Sequence, residues 1–131
     1  AYEEQGFTAD VVAFIDSMAD AYRWADLIIC RAGATTLAEV TACGKPCIFI
    51  PYPHAVDDHQ RRNAESLLKR GAGFVIIEQE LSGEVLAKAI RDLMDDPARL
   101  KAVGEAAQGL ARLDAAQAIV DEMVASTRKE E

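Results

Sequence analysis

No run in this chain approaches the roughly 20 consecutive apolar residues that a membrane-spanning helix requires, so no helical span is expected. Basic residues are scarce: 14 Lys and Arg stand against 22 Asp and Glu, for a formal charge of −8. A nucleic-acid binder needs a basic face to neutralise phosphates, so no nucleic-acid partner is expected. The acidity itself asks for nothing beyond solubility. Cysteine is limited to Cys30, Cys43 and Cys47, an odd number without paired spacing. That argues against a disulfide framework and for a reducing compartment. The three thiols are read as small buried apolar side chains. The opening residues, AYEEQGF, carry neither a basic-then-apolar leader pattern nor an initiator Met. They read as an interior cut, so the chain is expected to be a fragment. Internal repeats and low-complexity segments are absent too.

What is present is a chain of 131 residues, 50% of them apolar, which suits a single domain with its own core. Apolar runs and amphipathic stretches alternate. VVAFI (11–15), DLIICR (26–31), PCIFIP (46–51) and GFVIIE (73–78) read as four strands. DLIICR is apolar throughout its middle and PCIFIP along its whole length, as strands covered on both faces should be. Between them lie three helical patterns: SMADAYRWA (17–25) with Ser17 as N-cap, TTLAEVTAC (35–43) stopped by Gly44, and HQRRNAESLLKR (59–70) closed by Gly71. Three further helices are predicted over 82–95, 97–111 and 114–126. Asp95-Asp96-Pro97 divides the first two, because proline starts a helix but cannot continue one. The polar end, STRKEE, is expected to fray. Strand, helix, strand in this order is the signature of right-handed parallel βαβ units, hence an α/β fold with a parallel sheet and flanking helices.

Open α/β sheets bind ligands beyond the carboxyl ends of their strands. FIDSM (14–18), RAGATT (31–36) and PYPHAVDDHQ (51–60) fall there. In RAGATT, Gly33 permits a tight turn and a close approach to a ligand. The amides of residues 34–37 then sit at a helix N-terminus, which suits a phosphate, and Thr35 and Thr36 add hydroxyls. Neither the Walker nor the dinucleotide glycine pattern is present, and an ordinary strand-to-helix turn with a Thr cap is the plainer reading. Glu39, about one turn into the helix, is either a solvated first-turn carboxylate or an acceptor for two ribose hydroxyls. The loop holds His54, Asp57, Asp58, His59 and Gln60 within seven residues. A metal site, a catalytic His–Asp pair and a polar grip on sugar hydroxyls are all readings of it. Gln60 and Asn63, one turn apart, share a face, and their amides both donate and accept. Tyr22 and Trp24 are read as packing residues. Arg31 is read either as a diphosphate contact or as half of an ion pair, and Lys45-Pro46 as a turn.

The stretch ADLIICRAGATTLAEVTACGKPCIFIPYPHAVDDHQRRNAESLLKRGAG (25–73) resembles the C-terminal half of the MurG family. These are bacterial UDP-N-acetylglucosamine transferases that make lipid II from lipid I. The combination of R-x-G-A-x-T-x-x-E with D-x-H-Q-x-x-N-A carries the resemblance, which extends over nearly the whole chain. It implies a GT-B glycosyltransferase fold, with this chain the C-terminal, Rossmann-like part that binds the donor. By the resemblance, the backbone of Ile15 reads the uracil edge. Gly33, Ala34, Thr35 and Thr36 face the diphosphate, Glu39 holds the ribose hydroxyls, and Gln60 contacts the donor sugar with His59 beside it. It also implies an inverting displacement without a metal or other cofactor. Its general base would come from an N-terminal acceptor domain, so no catalytic residue is expected in this chain. The donor would be UDP-N-acetylglucosamine and the acceptor lipid I, and the whole enzyme would sit peripherally on the cytoplasmic face of the inner membrane.

On that resemblance residues 1–131 lack the acceptor domain and the first strands of the donor domain, including a glycine-rich turn. In a doubly wound order the absent first strand is central, so strand 11–15 would be parted from the other three. Exposed sheet edges invite pairing, which predicts a rearranged sheet, a homodimer, or both. Two alternatives stand beside this reading. One is a nucleotide-sugar-binding subunit that works with a partner chain, similar in design to the two-chain transferase of eukaryotic N-glycan assembly. The other is a different GT-B transferase or a UDP-GlcNAc epimerase.

Overall fold

A computed structural model describes residues 2–127. The frayed end expected at 128–131 lies outside the described residues. The elements in order are α1 (Met18–Trp24), β1 (Ile28–Cys30), α2 (Ala34–Cys43), β2 (Cys47–Phe49), α3 (His59–Lys69), β3 (Phe74–Val75), α4 (Gly83–Met94), α5 (Pro97–Gln108) and α6 (Ala115–Thr127). The three strands form one parallel sheet in the order β1-β2-β3. Ile28 is in register with Cys47, Cys30 with Phe49, and Phe49 with Val75.

The sheet is covered on both faces because β2 alternates its side chains between two cores. Cys47 and Phe49 point to one side, with Tyr22, Val40, Ala64, Leu67 and Ala107. Ile48 and Ile50 point to the other, with Ile76 and Leu93. All of β2 is buried, which explains its unbroken apolar sequence. The helix boundaries follow their caps. Ser17, Ser82 and Asp96 each accept a hydrogen bond from the backbone N–H three residues on. Gly44 ends α2 in the left-handed conformation at φ 61°. There, a Cβ on Gly104 of α5 would stand 2.5 Å from the Gly44 carbonyl oxygen. Glycine at 104 thus lets α5 lie directly on the end of α2.

Four expectations need correction. Residues 11–15 are not a strand: Val11 is 76% and Phe14 78% exposed, and no described strand lies beside them. An apolar run becomes a strand only when a neighbour takes up its peptide groups. The fourth strand is shorter than GFVIIE suggests, since after Val75 the chain passes through Ile76 into a 3-10 turn, Glu78–Glu80. Trp24 is 87% exposed whereas Tyr22 is buried. Two residues along a helix is a rotation of roughly 200°, so the two rings cannot face one core. Cys43 is exposed, Cys30 is half-buried and only Cys47 is fully enclosed. Along α6 no residue is buried, and Ile119, Val120, Met123 and Val124 stand exposed.

Candidate functional site

The carboxyl ends of β1 and β2 release the chain into 31–33 and 50–58, and α3 lies across both exits. Gln60 joins them. Its side-chain oxygen accepts from the backbone N–H of Ala32 at 3.2 Å and from that of Tyr52 at 3.0 Å. Asn63, one turn on, donates from Nδ2 to the Ala32 carbonyl at 3.3 Å. The shared face expected of these two amides is therefore real. The Gln60 oxygen is occupied by two donors, which turns its NH2 group, with two hydrogens to give, away from them.

The turn beside it is open to a ligand. Gly33 is the N-cap of α2, and no side chain caps that end. The helix starts at Ala34, so Thr35 and Thr36 are its second and third residues and neither is the cap. The first helical bond runs from Leu37 N–H to the Gly33 carbonyl at 2.9 Å. The amides of residues 34–36 thus remain without intrahelical acceptors. Gly33 does not need glycine's conformational freedom, contrary to expectation: its φ and ψ are −67° and 147°. Nor is it crowded, since a Cβ there would meet only Thr36 Oγ1, at 3.8 Å. Nothing in the fold demands a missing side chain, so the space it leaves faces outward from the helix end.

Glu39 is the sixth residue of α2 and so lies in its second turn, not the first. It is exposed. Its Oε2 accepts from the Tyr22 hydroxyl at 2.8 Å, leaving Oε1 open to solvent or ligand. Burial, reinforced by this bond to a carboxylate, pushes the Tyr22 phenol well above the ordinary tyrosine range. Tyr22 was read only as a packing residue; its second task is to hold Glu39. Sequence alone carried no sign of that pairing, which spans 17 positions.

Both histidines of the loop have defined neighbours. His59 Nδ1 lies 2.5 Å from the Val56 carbonyl oxygen, so Nδ1 carries the hydrogen and Nε2 is left as an acceptor in the neutral ring. The His54 ring stands edge-on to Tyr52 at 5.7 Å between centroids. Neither histidine is paired with an aspartate among the described residues, and no three His, Cys, Asp or Glu gather there as a metal-holding group. Asp57 and Asp58 both adopt positive φ, 52° and 54°, conformations that short polar side chains tolerate best. Arg31 takes the ion-pair reading. Its guanidinium meets the Glu78 carboxylate, donates to the Ile50 and Pro51 carbonyls at 3.2 and 3.4 Å, and lies 5.6 Å from the Tyr52 ring centre. Lys45 does more than make a turn, since its ammonium donates to the Arg23 and Ala25 carbonyls at the end of α1.

Ile15 stands apart from this cluster. It is 42% exposed and lines an open groove of about 800 Å³ with Val11, Phe14 and Met18. Its peptide groups make no hydrogen bond among the described residues. The arrangement of the remaining residues can bind an anion at the α2 terminus and hydroxyl groups at Glu39, His59 and Gln60.

Known proteins share this chain's sequence and shape. It is 98% identical over 131 residues to a protein of Geobacter sulfurreducens named UDP-N-acetylglucosamine--N-acetylmuramyl-(pentapeptide) pyrophosphoryl-undecaprenol N-acetylglucosamine transferase, and spans 36% of that protein's length. A Geotalea uraniireducens protein of the same name is 64% identical over 122 residues, which is 93% of this chain and 33% of the relative. The crystal structure of MurG from Acinetobacter baumannii aligns with a TM-score of 0.82 at 42% identity, over 88% of this chain and 33% of that one. This chain therefore spans about a third of the length of these relatives, and its fold is the Rossmann-like α/β of a GT-B C-terminal domain. Residues 1–119 match the glycosyltransferase family 28 C-terminal domain, and the chain belongs to that family.

Proposed function

We propose that residues 1–131 are the UDP-N-acetylglucosamine-binding part of an inverting N-acetylglucosaminyltransferase that converts lipid I to lipid II in peptidoglycan synthesis. One observation carries the reading: Gln60 ties the exits of β1 and β2 together beside the uncapped end of α2. That geometry supports a reading in which the Gln60 amide hydrogens meet sugar hydroxyls while the free backbone amides of α2 meet the diphosphate. The names of the relatives supply the substrate class.

In this reading Gly33, Ala34, Thr35 and Thr36 receive the diphosphate, and Glu39, held by Tyr22, accepts from the ribose hydroxyls. Gln60 and His59 meet the donor sugar, and the Ile15 backbone meets the uracil. The positive end of α2 stabilises the UDP leaving group as charge develops on it. The acceptor and the general base belong to a separate domain that binds lipid I at the cytoplasmic face of the inner membrane. No helix among the described residues is long and apolar enough to cross a membrane. The outer edges of β1 and β3 have no described neighbour. Pairing of two copies through them is part of the same proposal, and a monomer by light scattering at high concentration would refute that part.

Titration of the chain with UDP and UDP-N-acetylglucosamine, followed by amide NMR, tests the site. Saturable shifts at 15, 33–39 and 60 are expected. Glu39→Ala should weaken UDP binding with the fold retained, since Glu39 is exposed and its one described partner is a hydroxyl. Unchanged affinity in that variant would remove the ribose assignment.

A further inference from the structure

Ala32 is fully buried, yet it lies beyond the sheet. The β1–β2 ladder ends at Cys30 opposite Phe49, closed by the bond from Ile50 N–H to the Cys30 carbonyl at 2.8 Å. A buried peptide past the last rung leaves both an N–H and a C=O in need of partners. Two side chains of α3 provide them. The Gln60 oxygen takes the N–H and the Asn63 amide gives to the C=O, at 3.2 and 3.3 Å. A donor and an acceptor three residues apart on one helix face thus take the place of a neighbouring strand. The next residue is Gly33, whose carbonyl starts α2. The orientation of Ala32 therefore sets where the free amides of 34–36 point.

We propose that Asn63 is a positioning residue for the diphosphate turn. It touches no ligand, and acts by fixing the Ala32 carbonyl while Gln60 fixes the Ala32 N–H. The identity of the ligand rests on the function proposed above; the positioning itself does not. Two variants of this chain separate the alternatives. Asn63→Asp keeps the shape but turns an oxygen toward the Ala32 carbonyl, and Asn63→Ala removes the donor without adding charge. Far-UV circular dichroism identifies which of them folds, and either one suffices.

Each folded variant is compared with the parent by amide NMR without ligand, then titrated with UDP. The expected signature is a set of shifts at 32–36 before any ligand is added, with UDP binding weakened about tenfold. Shifts confined to the Ala32–Gly33 peptide, with the amides of 34–36 unmoved and UDP affinity unchanged, would show a merely local bond and overturn the proposal. So would unliganded shifts confined to α3 with UDP affinity unchanged. If the parent chain does not bind UDP, the nucleotide reading fails. In that case shifts at 32–36 in the variants still support the positioning role, and their absence refutes it.

Discussion

Gly33→Ala separates what the fold needs from what a ligand needs. Backbone strain is not an issue, because φ −67° and ψ 147° are open to any L-residue. Steric conflict is not an issue either, since the added methyl meets only Thr36 Oγ1, at an ordinary 3.8 Å. Two small terms remain. Alanine reduces the freedom of the unfolded chain, which stabilises by about 0.4–1 kcal/mol at a compatible site. Alanine is also a poorer N-cap than glycine, at a cost of roughly 0.5–1 kcal/mol. They nearly cancel, so the melting temperature should move by no more than about 4 °C. Binding should behave differently. The methyl enters the space beside the free amides of 34–36, where a diphosphate would approach. Loss of one charge-assisted hydrogen bond there is worth about 1.5–3 kcal/mol, which is on the order of 10- to 100-fold in affinity. Calorimetric titration with UDP and a thermal melt of the same sample provide both numbers. Unchanged affinity in a folded variant would mean that the turn does not receive the phosphates. A large loss of stability would mean that Gly33 serves the fold after all.

Other perturbations test the surrounding structure. Phe49→Ala removes the largest fully buried side chain, shared between the sheet and the α1–α2–α3 core, and should cost about 3–5 kcal/mol in urea unfolding. Tyr22→Phe should change the response to alkali. The folded state favours the neutral Tyr22 phenol because of burial and its bond to Glu39. That contribution is fully present below the ordinary tyrosine pKa of about 10 and is lost as the pH rises beyond it. Urea midpoints measured upward from pH 9 should therefore fall more steeply for the parent than for Tyr22→Phe, and parallel curves would refute the coupling. Thiol modification should follow exposure: Cys43 reacts first, Cys30 more slowly, and Cys47 only on unfolding. The Cys47 thiol lies 3.4 Å from that of Cys30, and this contact holds Cys30 below and Cys47 above the ordinary thiol range. Early modification of Cys47 in the native chain would contradict the packing.

By itself the sequence determined the periodic elements, because their causes are local. Ser17, Ser82 and Asp96 cap helices through bonds that span only three residues, and Gly44 ends one through its own φ. The unbroken apolar run of β2 already implied a strand covered on both faces. The family was also legible, since two motifs some 20 residues apart are rarely met together by chance. Tertiary structure alone decided whatever depends on a partner far along the chain. VVAFI has the composition of a strand, but pairing is a property of two segments, and no described segment pairs with it. Tyr22 and Trp24 look alike in the sequence, and only helix rotation against α2 places one inside and the other out. Arg31 could not be assigned until Glu78, 47 residues away, was found beside it. Nor could local patterns reveal that Gln60 and Asn63 complete the end of β1, because Ala32 stands about 30 positions earlier and its burial is created by the folded chain around it.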